Sequence, residues 1–163
     1  GAGGLPFMAL PRGLELSDVP SVNPECYALV EDPFSGESYL AVPALRPDVA
    51  LIHAAEADAR GNCGFKGSCF TDRLMALAAR HVIVQVERLV STDEVSAYPA
   101  GSALPGFLVD AVVVAPGGCL PTAAHGEYGY DESALRRYLE LARDEAGFVE
   151  YVERHVLGRV GVA

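Results

Sequence analysis

The stretch that decides the fold is Thr71 to Val90, TDRLMALAARHVIVQVERLV. Thr71-Asp72 is a helix-opening pair. Leu74, Met75, Leu77 and Ala78 then recur on one helical face, which predicts a helix ending near Arg80. Val82 to Val86 follows at once as an apolar, β-branched run, the pattern of a buried strand. A helix that leads straight into such a strand is the αβ half of a parallel crossover unit. Upstream, Val49 to Ala54 is a second continuous apolar run and reads as a strand covered on both faces. Downstream, Phe107 to Ala115 reads as a third strand, interrupted only by Asp110 and stopped by Pro116-Gly117-Gly118. The fold class is therefore α/β.

The flanks add smaller elements. Leu5 to Leu10, punctuated by Pro6 and Pro11, is an edge strand or the start of a loop. Tyr27 to Val30 and Tyr39 to Val42 are short strands around the turn-forming Asp32-Pro33-Phe34-Ser35-Gly36, a hairpin pattern. Gly61-Asn62 makes a turn before Cys63 to Phe65. The tail is helical: Asp131 is a natural N-cap, and Leu135, Tyr138, Leu139 and Ala142 follow at helical spacing. Gly147 marks a break before Phe148, Val149, Val152 and Val156, with Gly158 as the closing residue. The chain shows no internal repeat.

The 163 residues are half apolar, with 12 basic and 22 acidic side chains and a formal net charge of −10. The sequence pI is near 4.7. This length and apolar content fit one domain with a sizeable core and argue against disorder. The acidic balance argues against a nucleic-acid partner, which needs basic side chains to replace phosphate counterions, and against docking on an anionic membrane. No apolar run reaches the roughly 20 residues of a membrane span. Gly1 to Leu10 has no basic leader region, and we expect a cytoplasmic protein. The chain does not begin with Met, so the gene is expected to start upstream of Gly1.

Residue chemistry alone stops short of an activity. Cys26, Cys63, Cys69 and Cys119 are read as reduced thiols, because the Cys63–Cys69 spacing fits neither a zinc clip nor a redox pair. His53, His81, His125 and His155 show no metal-ligand spacing, so no metal is expected. His53, in a buried strand, reads as a hydrogen-bonded structural imidazole. Gly1-Ala2-Gly3-Gly4 precedes a strand rather than a helix, which excludes a phosphate loop. Arg12, between Pro11 and Gly13, either grips a carboxylate or phosphate or makes a surface ion pair. Glu56 and Asp58 follow a strand end, where α/β ligands bind, but they equally fit a solvated acidic turn. Glu87 is read either as paired with Arg88 or Arg80, or as exposed at its strand end.

Three segments taken together resemble the A-type subunit of the family I coenzyme A transferases, the glutaconate and 3-oxoacid CoA-transferase group. They are GAGGLPFMALPRG (Gly1 to Gly13), PALRPDVALIHAAEADARGNCGF (Pro43 to Phe65), and RHVIVQVERLV (Arg80 to Val90) continuing through PGFLVDAVVVAPGG and YGYD to Asp131. Their order and spacing agree across nearly the whole chain. The resemblance implies the CoA-transferase (NagB/RpiA-like) fold, a mostly parallel sheet covered by helices. Residues 1–163 would then be the C-terminal half to two-thirds of a single A-type domain. The family's N-terminal βα region, with its own Gly-rich loop, would lie outside this chain, on a separate N-terminal A-type fragment or a longer form.

The resemblance also implies an enzyme subunit working with a B-type partner. A partner glutamate attacks an acyl-CoA, and CoA passes to a carboxylic acid by way of a glutamyl-CoA thioester. Coenzyme A enters as substrate, and no catalytic glutamate is expected in this chain. Gly1, Gly3, Gly4, Phe7 and Arg12 would form substrate-binding wall near the acyl group. The family's Gly-Ala-His-Pro after the third strand reads Gly118-Cys119-Leu120-Pro121 here, so that histidine is not carried over. Relatives that keep the fold but decarboxylate or hydrolyse CoA thioesters are the alternative, as is a non-catalytic supporting subunit.

Overall fold

A computed structural model describes residues 1–158. Its centre is a five-stranded sheet of order β7-β5-β4-β6-β8. The long strands are β4 (Val49–Ala57) and β6 (His81–Leu89), joined by helix α2 (Asp72–Ala78) in the expected crossover. Strand β8 (Ala111–Val114) pairs with β6, also in parallel. Two-residue strands β5 (Cys63–Gly64) and β7 (Ala103–Leu104) extend the sheet antiparallel beyond β4. The mainly parallel α/β sheet expected from the sequence is thus present.

The register assigns each side chain to a face. Ala50 lies opposite Val82, Ile52 opposite Val84 and Ala54 opposite Val86. These six share one face and form the core with Ala57, Cys63, Phe65, Cys69, Ala76 of α2 and Leu104. Burying each of the three valines contributes on the order of 1.5–3 kcal/mol. The intervening residues point the other way, because the side-chain period of a strand is two. On that side Leu51, next to Ile83, is 71% exposed, and Val113 is 48% exposed. The expectation that Val49 to Ala54 is covered on both faces is corrected: one face is packed and the other is bare.

Other expectations shift by local causes. The helix α2 buries Ala76, while Leu74, Met75 and Leu77 stay exposed. The strand expected over Phe107 to Ala115 is shorter. Gly106–Leu108 form a 3-10 turn, held by the Gly106 amide donating to Asn62 Oδ1 at 2.9 Å. Asp110 then begins the pairing, because its Oδ2 accepts the Val82 amide at 2.7 Å. Gly147 is not the break. Asp144 caps α5 (Glu145–Tyr151) by accepting the Gly147 amide, after α4 (Glu132–Leu141), which is capped by Asp131 as expected. A Cβ at Gly147 would collide with the Leu141 carbonyl, so this glycine permits the close approach of α4 and α5.

A second, antiparallel sheet of order β1-β3-β2 joins β1 (Phe7–Ala9), β2 (Ala28–Glu31) and β3 (Ser38–Pro43). The predicted hairpin closes through Asp32, whose carboxylate accepts from the Phe34 amide and the Ser35 hydroxyl, with Gly36 at φ 73°. One helical turn, α1 (Val19–Val22), precedes this hairpin, and a capped helix, α3 (Thr92–Ser96), follows β6. The four cysteines are free thiols. Among the described residues, no helix is long and apolar enough to cross a membrane.

Leu104 is 1% exposed and joins the core from the last strand of the sheet edge. Leu104→Ala is expected to cost about 2–5 kcal/mol, read from urea unfolding of the full-length chain.

Candidate functional site

Side chains capable of chemistry gather at the C-terminal ends of β4 and β6, one cluster on each face of the sheet. Glu87 and Arg88 are successive residues of β6 and therefore point to opposite sides. On the core side, Arg88 pairs with Glu56, its register neighbour on β4, and donates from Nη1 to both oxygens of Glu127 at 3.0 Å. Lys66 Nζ lies 2.7 Å from Glu127, and the Tyr98 hydroxyl donates to Glu56 at 2.8 Å. Two cations and two carboxylates close this network on themselves. Burial, then the bond to Glu56, pushes the Tyr98 hydroxyl up to about 12, so it stays a donor.

On the bare side the centre is Glu87, whose side chain is 7% exposed. Its Oε1 lies 2.9 Å from His53 Nε2 and accepts the Tyr128 hydroxyl at 2.7 Å; its Oε2 accepts the Gly117 amide at 2.6 Å. The Tyr128 oxygen accepts the Cys119 amide at 2.9 Å in turn. Residues 127 and 128 thus straddle the sheet end, Glu127 bonding Arg88 and Tyr128 bonding Glu87. Burial works to raise the Glu87 pKa. The bonds from Tyr128, Gly117 and His53 outweigh it and hold the carboxyl below its usual range. Burial and the bond to Glu87 raise the Tyr128 hydroxyl to about 12.

The geometry decides between the alternatives for these residues. Glu87 is neither exposed nor bonded to Arg88 or Arg80. His53 is the hydrogen-bonded imidazole expected. Asp58, 2% exposed, is not in a solvated turn. It accepts from the amides of Arg60 and Asn62 and from Asn62 Nδ2, locking residues 58–62. Cys63 is a structural thiol, raised to about 12 by burial and then by the Asp58 charge.

The residues expected to form substrate wall are split between two places. Gly1, Gly3 and Phe7 line an apolar groove of about 540 Å³ with Leu45, Leu74 and Met75. Gly4, at φ 72°, closes the turn by donating its amide to the Gly1 carbonyl at 2.9 Å. Arg12 stands apart from the groove. Its guanidinium pairs with Glu37 at 2.9 Å and lies 5.6 Å from the centre of the Tyr39 ring, with 60% of its side chain exposed. The Glu87 cluster is not among the sites expected from motif spacing. One sign of it is that His81, Gln85 and Glu87 share the odd positions of a strand whose even positions 82, 84 and 86 are all valine.

A mainly parallel sheet carries polar clusters at its carboxyl ends, the α/β position for a site, while the Gly-rich turn and apolar groove lie at the other end, against the segment before β4 and the end of α2. The coenzyme A transferase family model matches residues 27–115, and the chain belongs to that family. It is 39% identical to the A-type subunit of 3-oxoadipate CoA-transferase from Pseudomonas knackmussii, over 97% of this chain and 55% of that protein. The A-type subunit of glutaconate CoA-transferase from Acidaminococcus fermentans is 33% identical, over 94% of this chain and 52% of its own length. The fold superposes on the crystal structure of the decarboxylase AibA/AibB with a TM-score of 0.80 at 41% identity, covering 96% of this chain and 55% of that one. Against the A. fermentans glutaconate enzyme the TM-score is also 0.80, at 31% identity, covering 99% of this chain and 58% of that one. The chain therefore spans little more than half the length of these relatives.

Because native bonding holds Glu87 ionised, its contribution to stability is complete above the usual carboxylate range. That contribution is lost as pH falls through its lowered native value. Glu87→Gln is expected to lower the melting temperature at neutral pH and to flatten its fall on acidification, followed by circular dichroism between neutral and acid pH.

Proposed function

We propose that this chain is part of the A-type subunit of an enzyme that moves coenzyme A between carboxylic acids, completed by a B-type partner. The observation that carries the reading is the match of 97% of its length to the A-type subunit of 3-oxoadipate CoA-transferase. In this reading a partner glutamate attacks the acyl-CoA carbonyl and expels CoA thiolate, leaving a mixed anhydride. The thiolate attacks the glutamyl carbonyl, releases the first carboxylate and leaves a glutamyl-CoA thioester. The incoming carboxylate reverses both steps. The substrates are an acyl-CoA and a carboxylic acid, with coenzyme A as the exchanged group and no resident metal needed for transfer. The setting proposed is cytoplasmic.

The residues of this chain would shape the acyl side of the site. The groove at Gly1, Gly3 and Phe7 offers apolar wall, and Gly4 holds the turn that places it. Arg12 would exchange its exposed partner Glu37 for a substrate carboxylate, since its present pair is weakly held in solvent. The bare sheet face around Leu51 and Val113 would be covered by the remaining N-terminal part of an A-type subunit, whether on the same polypeptide or as a separate fragment. A second reading has its own support: the decarboxylase AibA/AibB matches at 41% identity, and the cholesterol ring-cleaving hydrolase IpdA subunit of Mycobacterium tuberculosis matches at 35%.

The two readings separate in one assay of the full-length protein with its B-type partner. Transfer yields labelled acyl-CoA from a labelled acid, and borohydride inactivates the partner only after acyl-CoA is added. Hydrolysis or decarboxylation releases free thiol or carbon dioxide with no acceptor present, and no product in any assay overturns both. Arg12→Ala is expected to lower kcat/KM for a dicarboxylic acyl-CoA by roughly 10- to 100-fold, the worth of a charge-assisted bond of about 1.5–3 kcal/mol, with little change in Tm. An equal loss for a monocarboxylic acyl-CoA would remove Arg12 from substrate recognition.

A further inference from the structure

We propose that His53, Glu87 and Cys119 form a binding site for a zinc-like divalent cation at the carboxyl end of the bare sheet face. One ligand atom from each residue lies within 4.8 Å of the others. With zinc bonds of roughly 2.0–2.3 Å, tetrahedral donors stand about 3.3–3.8 Å apart. The site therefore closes by about 1 Å, a movement that side-chain rotation of Cys119 and His53 supplies without a change in the sheet.

The donor set selects the cation class. Imidazole nitrogen, carboxylate oxygen and thiolate sulfur together suit a borderline-soft cation, whereas magnesium and calcium take oxygen ligands. Carboxylate and thiolate also balance its two charges. The nearest strand cation, Arg88, points to the other face and is taken by Glu56 and Glu127. Among the described residues, no Lys or Arg pairs with Glu87, and its ring partner is His53.

The supporting contacts are those a ligand set needs. Gly117 holds Glu87 Oε2, leaving Oε1 turned to His53. Tyr128 donates to Glu87 and accepts the Cys119 amide, so one hydroxyl orients two of the three ligands. Binding at Nε2 requires the ring proton of His53 on Nδ1, and the thiol proton of Cys119 is released to solvent. His53 also lines a cavity of about 310 Å³ with Leu51, Ile83, Gln85 and Val113. Three protein ligands leave a fourth position for a water or other exchangeable ligand. This inference is independent of CoA transfer.

The test uses the full-length chain in the complex in which it purifies, stripped with a chelator and then titrated. Zn²⁺ is followed by competition with a chromogenic chelator, and Co²⁺ by its absorption spectrum. The expected result is one Zn²⁺ per chain and a Co²⁺ spectrum with thiolate charge-transfer absorption. Cys119→Ser is expected to abolish that absorption. Tyr128→Phe is expected to weaken Zn²⁺ by roughly 10- to 100-fold. Cys26→Ser, at an exposed thiol elsewhere, leaves both signals intact. Failure to retain Zn²⁺ against the competitor, or a Co²⁺ spectrum without thiolate absorption, overturns the proposal. So does binding unchanged in both Cys119→Ser and His53→Ala. Where Cys119→Ser fails to fold, the cobalt spectra of the parent and of His53→Ala decide it, and a thiolate band unchanged by His53→Ala counts against the site.

Discussion

Parallel pairing of β4 with β6 is the constraint on which the remaining structure depends. Once Ile52 faces Val84 and Ala54 faces Val86, the two-residue period of the strands leaves no freedom for their neighbours. Ala50, Ile52 and Ala54 enter the core with Val82, Val84 and Val86, and Leu51, His53, Ile83, Gln85 and Glu87 must emerge on the other side. A slip of one residue would bury Glu87 among valines and expose the core, a cost that a domain stable by only about 5–15 kcal/mol does not cover. The same register sends Arg88 to the core side, where Glu56 meets it.

The register therefore explains why there are two polar clusters with different characters. The Arg88 cluster balances charge within itself and ties β4, β6, Lys66 and Glu127 into one closed unit. The Glu87 cluster holds a single carboxylate by uncharged donors and an imidazole. It lies beside a bare apolar surface and includes a thiol. A closed network serves stability. A partly open one, with a carboxylate kept ionised by hydrogen bonds rather than by a fixed cation, retains capacity to accept a positive group.

The parallel unit is legible in the sequence because Leu74 to Ala78 and Val82 to Val86 carry different periods with almost no spacer. The hairpin is legible because Asp32 and Gly36 are residues a tight turn requires. Sequence misleads where a run of apolar residues does not report direction. Val49 to Ala54 reads alike whether one face or two are covered, and only tertiary packing distinguishes them. Phe107 to Leu108 is apolar enough for a strand, but the Asn62 side chain captures the Gly106 amide and a turn forms instead. The family segment Gly1 to Gly13 reads as one continuous site. In space, its Phe7 end lines the groove while Arg12 turns to Glu37.

The Glu87 cluster is hidden for a reason general to parallel sheets. Its members are 34 and 32 residues apart, far outside any local motif spacing. They meet because a crossover returns the chain to the same sheet edge after each strand, so positions equivalent in depth become neighbours in space. Residues 116–128 complete the arrangement by folding back over that edge, fixed through Gly117 to Glu87 and through Tyr128 to Cys119. The sequence departure at Gly118-Cys119-Leu120-Pro121 therefore falls where it has most chemical effect. It places a thiol beside a carboxylate and an imidazole that the fold already holds together.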